Sequence, residues 1–267
     1  MKQKVVEGIQ ELGYIAQFQQ VTKNGAVKDA VIIKESEDMN IAPVIYFDPD
    51  FEDVDDEINR IVNLYEMHKA PKIDLDQFLC IDKIADNLRV GFQQVGDEPI
   101  VKRRTIFDGI EAYLYISVNM EDTNASAKVK PAMLEQYKIN EEDAWRLAYL
   151  NTFQDTKVTT LAEEFGLATD FLGIPPMYIV TNRCHYRGAA NILDTKALEQ
   201  IAKKYGTNKL IAIPASIHEF IVFQDDFREA EELDQMVREV NANEVSPEEV
   251  LSNKAYRITV DKEVRLG

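Results

Sequence analysis

The chain has 267 residues, 45% of them hydrophobic, with 11 Gly and 9 Pro: enough apolar material for a core, and too few turn formers for a linker-rich or low-complexity protein. Its 47 acidic and 30 basic residues leave a formal charge of −17, which repels phosphate backbones and anionic membranes, so direct nucleic-acid binding is disfavoured and a basic protein is the partner the charge would suit. Two cysteines, Cys80 and Cys184, make neither a disulfide framework nor a CxxC metal pair, and a charged amphipathic start with no run of 18 apolar residues points to a cytoplasmic protein without membrane spans.

Val5, Ile9 and Leu12 space the first segment as a helix, stopped by Gly13. YIAQFQQV and AVKDAVIIK then alternate around Lys23-Asn24-Gly25, and Asn-Gly between two such runs predicts a hairpin whose turn needs positive φ twice. Ile41 to Phe47 reads as a third strand, with Pro43 placing it at an edge or at its own start. The stretch DPDFEDVDDE, residues 48–57, holds seven acids. A calcium loop would need Gly at its sixth place and an acid at its twelfth, where counting from Asp48 finds Asp53 and Asn59. The acids instead suit the positive end of a helix running through Ile58, Ile61, Val62 and Tyr65.

FLCIDKIADNLRV predicts a helix, and RTIFDG with IEAYLYISV a hairpin around Asp108-Gly109. Asp108 and Glu111 resemble the acid pair of a nuclease only weakly, because the accompanying lysine is missing. Asn140 precedes EEDAWRLAYLNTFQ as a helix cap with acids in the first turn. Further on, MYIVTN and GAANIL read as strands, and Asp194 caps a helix over TKALEQIAKKY that Gly206 stops. LIAIP and IHEFIVF read as strands joined through Pro214-Ala215-Ser216. A long acidic helix over about 228–240 follows, then a capped helix start at Ser246-Pro247-Glu248-Glu249 and a terminal strand, YRITV. The pattern predicts an α/β (α+β) protein of mixed, largely antiparallel sheets with flanking helices. It is organised either as two regions, 1–138 and 139–267, or as one compact unit.

Only His68, His185 and His218 are available as imidazoles, and the HExxH of a zinc protease fails because Val222 stands where its second histidine belongs. No metal site is expected. GxxxxGK[ST] and GxGxxG are absent, so no nucleotide or other cofactor is expected either. Ser216, His218 and Glu219 are the candidate nucleophile, base and acid of a triad, with His185 a further candidate base. A strand would turn His218 and Glu219 to opposite faces, which argues for a structural role, and no GxSxG elbow surrounds the serine. In TNRCHYRGAA, residues 181–190, Asn182, Arg183 and Arg187 are candidate binding residues for an anion or carboxylate.

PPMYIVTN, GAANIL, LIAIPASIHEFIVF, MVREVNANEVSPEEVLSNKAYR and AWRLAYLNT together resemble a bacterial family, common in gut Firmicutes and their mobile elements, that is known only as a domain of unknown function. The likeness is strongest over residues 140–260; Ser216, His218, Glu219, Asn182 and Gly188 sit where the family pattern has them. The C-terminal half is also distantly similar to a second bacterial family with Arg-Asp in place of His218-Glu219. The resemblance implies a bacterial, cytoplasmic setting and brings no activity. Three readings follow: a non-catalytic binding or interaction module with a basic protein partner, a hydrolase using a Ser/His/Asn cluster, and a regulator that senses a small anion.

Overall fold

The structure, a computed structural model, describes residues 1–36, 43–68, 81–120, 123–166 and 176–260. The chain packs as two compact units, Met1–Gln77 and Phe78–Gly267, each with its own hydrophobic cluster. Residue 138 falls inside the second unit.

In the first unit, helix α1 (Lys2–Glu11) buries Val5, Val6 and Ile9. Leu12, expected on the same face, lies one step beyond the helix and is exposed, because the chain is already turning into Gly13 at φ +94°. Strands β1 (Ile15–Lys23) and β2 (Ala26–Lys34) pair antiparallel with Lys23 opposite Ala26. Asn24 and Gly25 take φ of 48° and 83°, the two positive values the hairpin turn demands. Strand β3 (Val44–Tyr46) follows Pro43 at the edge of this sheet; Ile41 lies outside the described residues. Asp53 Oδ1 accepts from the backbone N–H of Asp55 and Asp56 at the head of helix α2 (Val54–His68). Glu57 is buried there against Arg60, while the other six acids of residues 48–57 are exposed.

The second unit starts with a division that the sequence pattern concealed. Helix α3 (Ile81–Asn87) stops at the point where strand β4 (Leu88–Gln94) begins, so Leu88-Arg89-Val90 are not helical; Phe78–Cys80 lie outside the described residues. Leu88, Val90 and Phe92 alternate into the core, and pairing with strand β6 (Ile110–Met120) satisfies their backbone. Gly109, at φ +83°, leads into β6 as expected, but the partner strand β5 is Lys102–Arg104 rather than the RTIF run. Strand β7 (Thr123–Lys128) pairs with β6 as well. Because β4 and β5 both face Glu111–Tyr113, they occupy opposite edges of β6.

Helix α4 (Pro131–Gln136) precedes helix α5 (Glu141–Gln154), where Asn140 Oδ1 accepts from the N–H of Glu142 and Asp143. Ala144, Trp145, Ala148 and Thr152 form its buried face. Strand β8 (Thr156–Thr160), helix α6 (Leu161–Glu164) and strand β9 (Tyr178–Asn182) follow. GAANIL is not a strand but a 3₁₀ helix (Gly188–Leu193), and all six of its residues are buried. A short, wholly apolar run is ambiguous between strand and buried helix by periodicity alone, and here burial on all sides decided. Helix α7 (Thr195–Tyr205) has the Asp194 cap and the Gly206 stop, at φ +70°.

Strands β10 (Lys209–Ser216) and β11 (Glu219–Gln224) are joined by Ile217-His218, with a register shift between Pro214 and Ser216. His218 therefore sits in a tight turn and not in a strand, as the sequence had suggested. Helix α8 (Ala230–Glu244) is longer than expected, and residues 247–249 make only a turn, where Ser246 O accepts from Glu249 N–H. Strand β12 (Tyr256–Thr259) ends the described chain. The second unit's sheets are a five-stranded one ordered β12-β10-β11-β9-β8 and a four-stranded one around β6, with every pairing antiparallel. Phe92 and Phe107 on the β6 side meet Phe220 of β11, the latter two rings 5.2 Å apart, so the apolar faces of both sheets close one core. The predicted α/β class with antiparallel sheets is the class observed.

Candidate functional site

The connection after β9 is held by its own side chains. Asn182 Oδ1 accepts from Tyr186 N–H at 3.1 Å and Asn182 Nδ2 donates to Tyr186 O at 2.7 Å, closing the loop like a clasp. His185 and Arg187 adopt left-handed φ of 51° and 53°, tolerable because these hydrogen bonds over-determine the loop. Gly188 follows where nothing larger fits: a Cβ would lie 2.5 Å from Thr181 Oγ1, 2.6 Å from Asn182 N and 2.8 Å from His218 O.

That last contact fastens the loop to the β10–β11 turn. Thr181 Oγ1 donates to His218 O at 2.8 Å, and Arg187 N–H donates to His218 Nδ1 at 3.0 Å. With Nδ1 accepting, the neutral ring carries its hydrogen on Nε2, 3.4 Å from Glu249 Oε1. Glu249 O in turn accepts from Ile217 N–H at 2.8 Å. Ser216 Oγ accepts from His218 N–H at 3.0 Å, a short-range turn bond of the kind Ser and Thr commonly make. The two stretches singled out in the sequence, 182–187 and 216–219, are therefore brought together, but Ser216 and His218 meet through the backbone of His218 and not through its imidazole.

The remaining candidates point elsewhere. Lys157 Nζ donates to His185 Nε2 at 2.8 Å and lies 3.3 Å from Glu164 Oε2. Glu219 shares that neighbourhood: burial pushes its carboxyl up, with His185 the strongest influence in the other direction. Arg183 is exposed, and its N–H donates to Asp155 O. The Arg187 guanidinium is packed among tyrosines, donating to Tyr113 Oη and, at 3.2 Å, to Tyr186 Oη, with the Tyr186 ring centre 5.4 Å away. Burial works against its charge, and the phenols of Tyr113 and Tyr186 outweigh it, so Arg187 is held more firmly protonated than usual. Tyr113 and Tyr115 are themselves pushed up by burial. Asp108 and Glu111 do not form a pair: Asp108 is exposed beside Lys254 at 2.6 Å, whereas Glu111 is buried against Gln93 and Lys102.

Beneath the clasp lies a small cavity of about 50 Å³, with Asn182 and Cys184 on one side and Arg89, Tyr115, Asp155 and Asn191 on the others. Arg187 and Arg183 are not among its walls. No group of three His, Cys, Asp or Glu side chains is placed to hold a metal among the described residues. Sequence reasoning did not pick out Glu249, Thr181, Lys157, Arg89 or Asn191. Lys157 and Arg89 come from distant segments with no local motif, Thr181 opens the 181–190 stretch without a chemical signal of its own, and Glu249 stood only in the helix-start pattern of 246–249. Asn191 carried one signal, an amide inside an otherwise apolar run.

Residues 1–258 match a family of unknown function, DUF5688. The chain belongs to that family. Neither a curated protein nor a solved structure matches it. The match takes in both compact units, so the family's unit of sequence includes the hairpin and acidic helix as well as the clasp and turn. No helix among the described residues is long and apolar enough to cross a membrane.

Proposed function

We propose that this chain is a cytoplasmic, bacterial, non-catalytic binding module, carried on a mobile element, that engages a basic protein through its acidic surface. The observation behind this reading is the engagement of Ser216 and His218. The serine oxygen accepts the histidine's own N–H, and both ring nitrogens have partners that hold a turn, so no base is directed at the hydroxyl. The charge of −17 and the six exposed acids at the head of α2 supply the surface for a basic partner.

The rival hydrolase would need Ser216 to exchange its backbone donor for the imidazole of His218 or His185. An anion sensor would need Arg187 freed from its tyrosines. The direct test is turnover of a panel of p-nitrophenyl esters by the intact chain and by Ser216→Ala. We expect the two to match the uncatalysed background. A Ser216-dependent activity, lost by about 10³-fold or more in the variant, would transfer the protein to the hydrolases. Binding of the basic partner should weaken steeply between low and physiological salt, since exposed charges are screened over about 8–10 Å.

A further inference from the structure

Strand β1 is an edge of the first unit's sheet and pairs with β2 along one side only. The backbone groups of a strand point alternately to its two sides. Asp29 O accepts from Phe47 N–H just past β3, so Asp29, Val31 and Ile33 turn to that side and Ala30, Ile32 and Lys34 to β1. Their partners Gln19, Gln17 and Ile15 complete the ladder, which leaves Ala16, Phe18, Gln20 and Thr22 directed out of the sheet. Ala16 O bears this out by accepting from Gln10 Nε2 at 2.8 Å. The backbone N–H and C=O groups of Phe18, Gln20 and Thr22 have no such partner among the described residues. Packing shows the same gap. The Phe18 ring stands 6.1 Å from Phe47, yet 36% of the residue is exposed, since no strand lies beyond it.

Proteins ordinarily blunt such an edge with charge, proline, a bulge or shortness. The opposite edge of this sheet, β3, has three residues and follows Pro43. In the second unit the edge strands β4, β7, β8 and β12 carry Arg89, Lys128, Lys157 and Arg257. β1 instead runs nine residues in unbroken register, without proline, and residues 12–22 carry no charge. The carboxylate opposite Gln20, Asp29, is already held by Lys2 and by Gln20 itself. A lysine- or arginine-rich strand would therefore find no carboxylate to pair with along this edge. Two chains of charge −17 can approach only where the local surface is uncharged, and β1 of a second copy is such a strand.

We propose that the chain forms a homodimer by antiparallel pairing of β1 with β1 of a second copy, centred on Gln20. That register sets Gln20 against Gln20 and Phe18 against Thr22, and so takes up the backbone groups of all three residues. It leaves Ala16 O to Gln10 and puts Lys23 across from Gln17, away from any like charge. The contact is isologous and closes at two copies. One strand pair buries less than the ~1,600 Å² of a standard interface, so the dimer is weak, with Kd on the order of 1–100 μM. The proposal is independent of the basic-partner reading, and salt separates the two. Screening relieves the repulsion between like-charged copies and weakens the attraction of a basic partner.

The test is the mass of the intact chain by sedimentation equilibrium, from about 1 to about 200 μM, a range that brackets that Kd. We expect it to climb from 30.5 kDa towards twice that value, at lower concentration in high salt than in low. Gln20→Pro removes an outward N–H without touching the ladder to β2, and should weaken association at least about tenfold with an unchanged circular dichroism spectrum. Should that variant fold poorly, amide hydrogen exchange in the unaltered chain answers instead: Phe18, Gln20 and Thr22 should gain protection as concentration rises. A chain monomeric throughout, a folded Gln20→Pro that associates as before, an association that leaves the three amides unprotected, or one that grows past two copies would each overturn the proposal. So would protection that appears only on adding a lysine- and arginine-rich peptide, which would give the edge to the basic partner.

Discussion

Individual atoms decide more here than the residue types do. His218 looks like a catalytic base in a sequence and works in the structure as an acceptor for Arg187 N–H and a donor towards Glu249. Gly188 is the residue that permits it. Its substitution by alanine would drive a Cβ into Thr181 Oγ1 and two backbone atoms, neither of the latter able to swing aside. We expect Gly188→Ala to destabilise the second unit by about 1–3 kcal/mol, the usual cost of overpacking, measured by urea denaturation. Glu219 makes the opposite prediction. Its carboxyl is raised by burial above its unfolded value near 4.5, so the folded state holds the proton more tightly. The sign follows from linkage: stability is favoured below that unfolded value and declines as pH rises through the raised one. Glu219→Gln should therefore leave Tm unchanged in acid and raise it at pH 7. Because the group is half exposed, the rise should not exceed about 2–4 °C, the shift that one kcal/mol makes in a chain of this size.

Among the elements, a side-chain cap is neither required nor sufficient: α1, α4 and α8 form with no side-chain hydrogen bond at the N-cap. Asn140, Asp194 and Asp53 each place a side-chain oxygen on early N–H groups, and helices follow them. Ser246-Pro247-Glu248-Glu249 carries the same cues, yet residues 247–249 form only a turn, with Glu249 O drawn to Ile217 N–H across the fold. A tertiary hydrogen bond outcompeted a local preference. The short α6 shows the reverse: Thr160 and Glu163 make a reciprocal capping box at the end of β8. Thr160→Ala should cost about 1 kcal/mol by thermal denaturation. The hydrogen bond that Glu163 accepts from Thr160 N–H holds its carboxyl below the ordinary range, so the box is intact above that range and opens as pH falls through the lowered value.

At the scale of the whole molecule, the apolar residues sort into clusters that belong to one unit or the other. The larger cluster joins β4 and β6 to β9, β10 and β11 and draws on α5 and α7. A fragment of residues 78–260 should accordingly fold by itself, with cooperative thermal unfolding and dispersed amide NMR signals. A collapsed, undispersed spectrum would mean that the first 77 residues complete its core. The excess of acid belongs to this scale as well. It is a property of the summed surface, bearing on partners and solubility rather than on the fold.

The sequence by itself determined the local pieces: the hairpin at Asn24-Gly25, the acid-led start of α2, the caps of α5 and α7, the strands β9 and β11, and the antiparallel α/β class. Each of these rests on interactions within a few residues, where side-chain type constrains φ, ψ and hydrogen bonding directly. Nothing local told Leu88-Arg89-Val90 from a helix or GAANIL from a strand, because the apolar spacing of runs this short suits either, and only the neighbours they bury against chose. The same limit governed the candidate site. Proximity in sequence grouped Ser216, His218 and Glu219, whereas the contacts that settle what His218 does come from Arg187, Thr181 and Glu249. Bonds between segments 30 or more residues apart leave no periodic trace in a chain, so tertiary structure alone could place them.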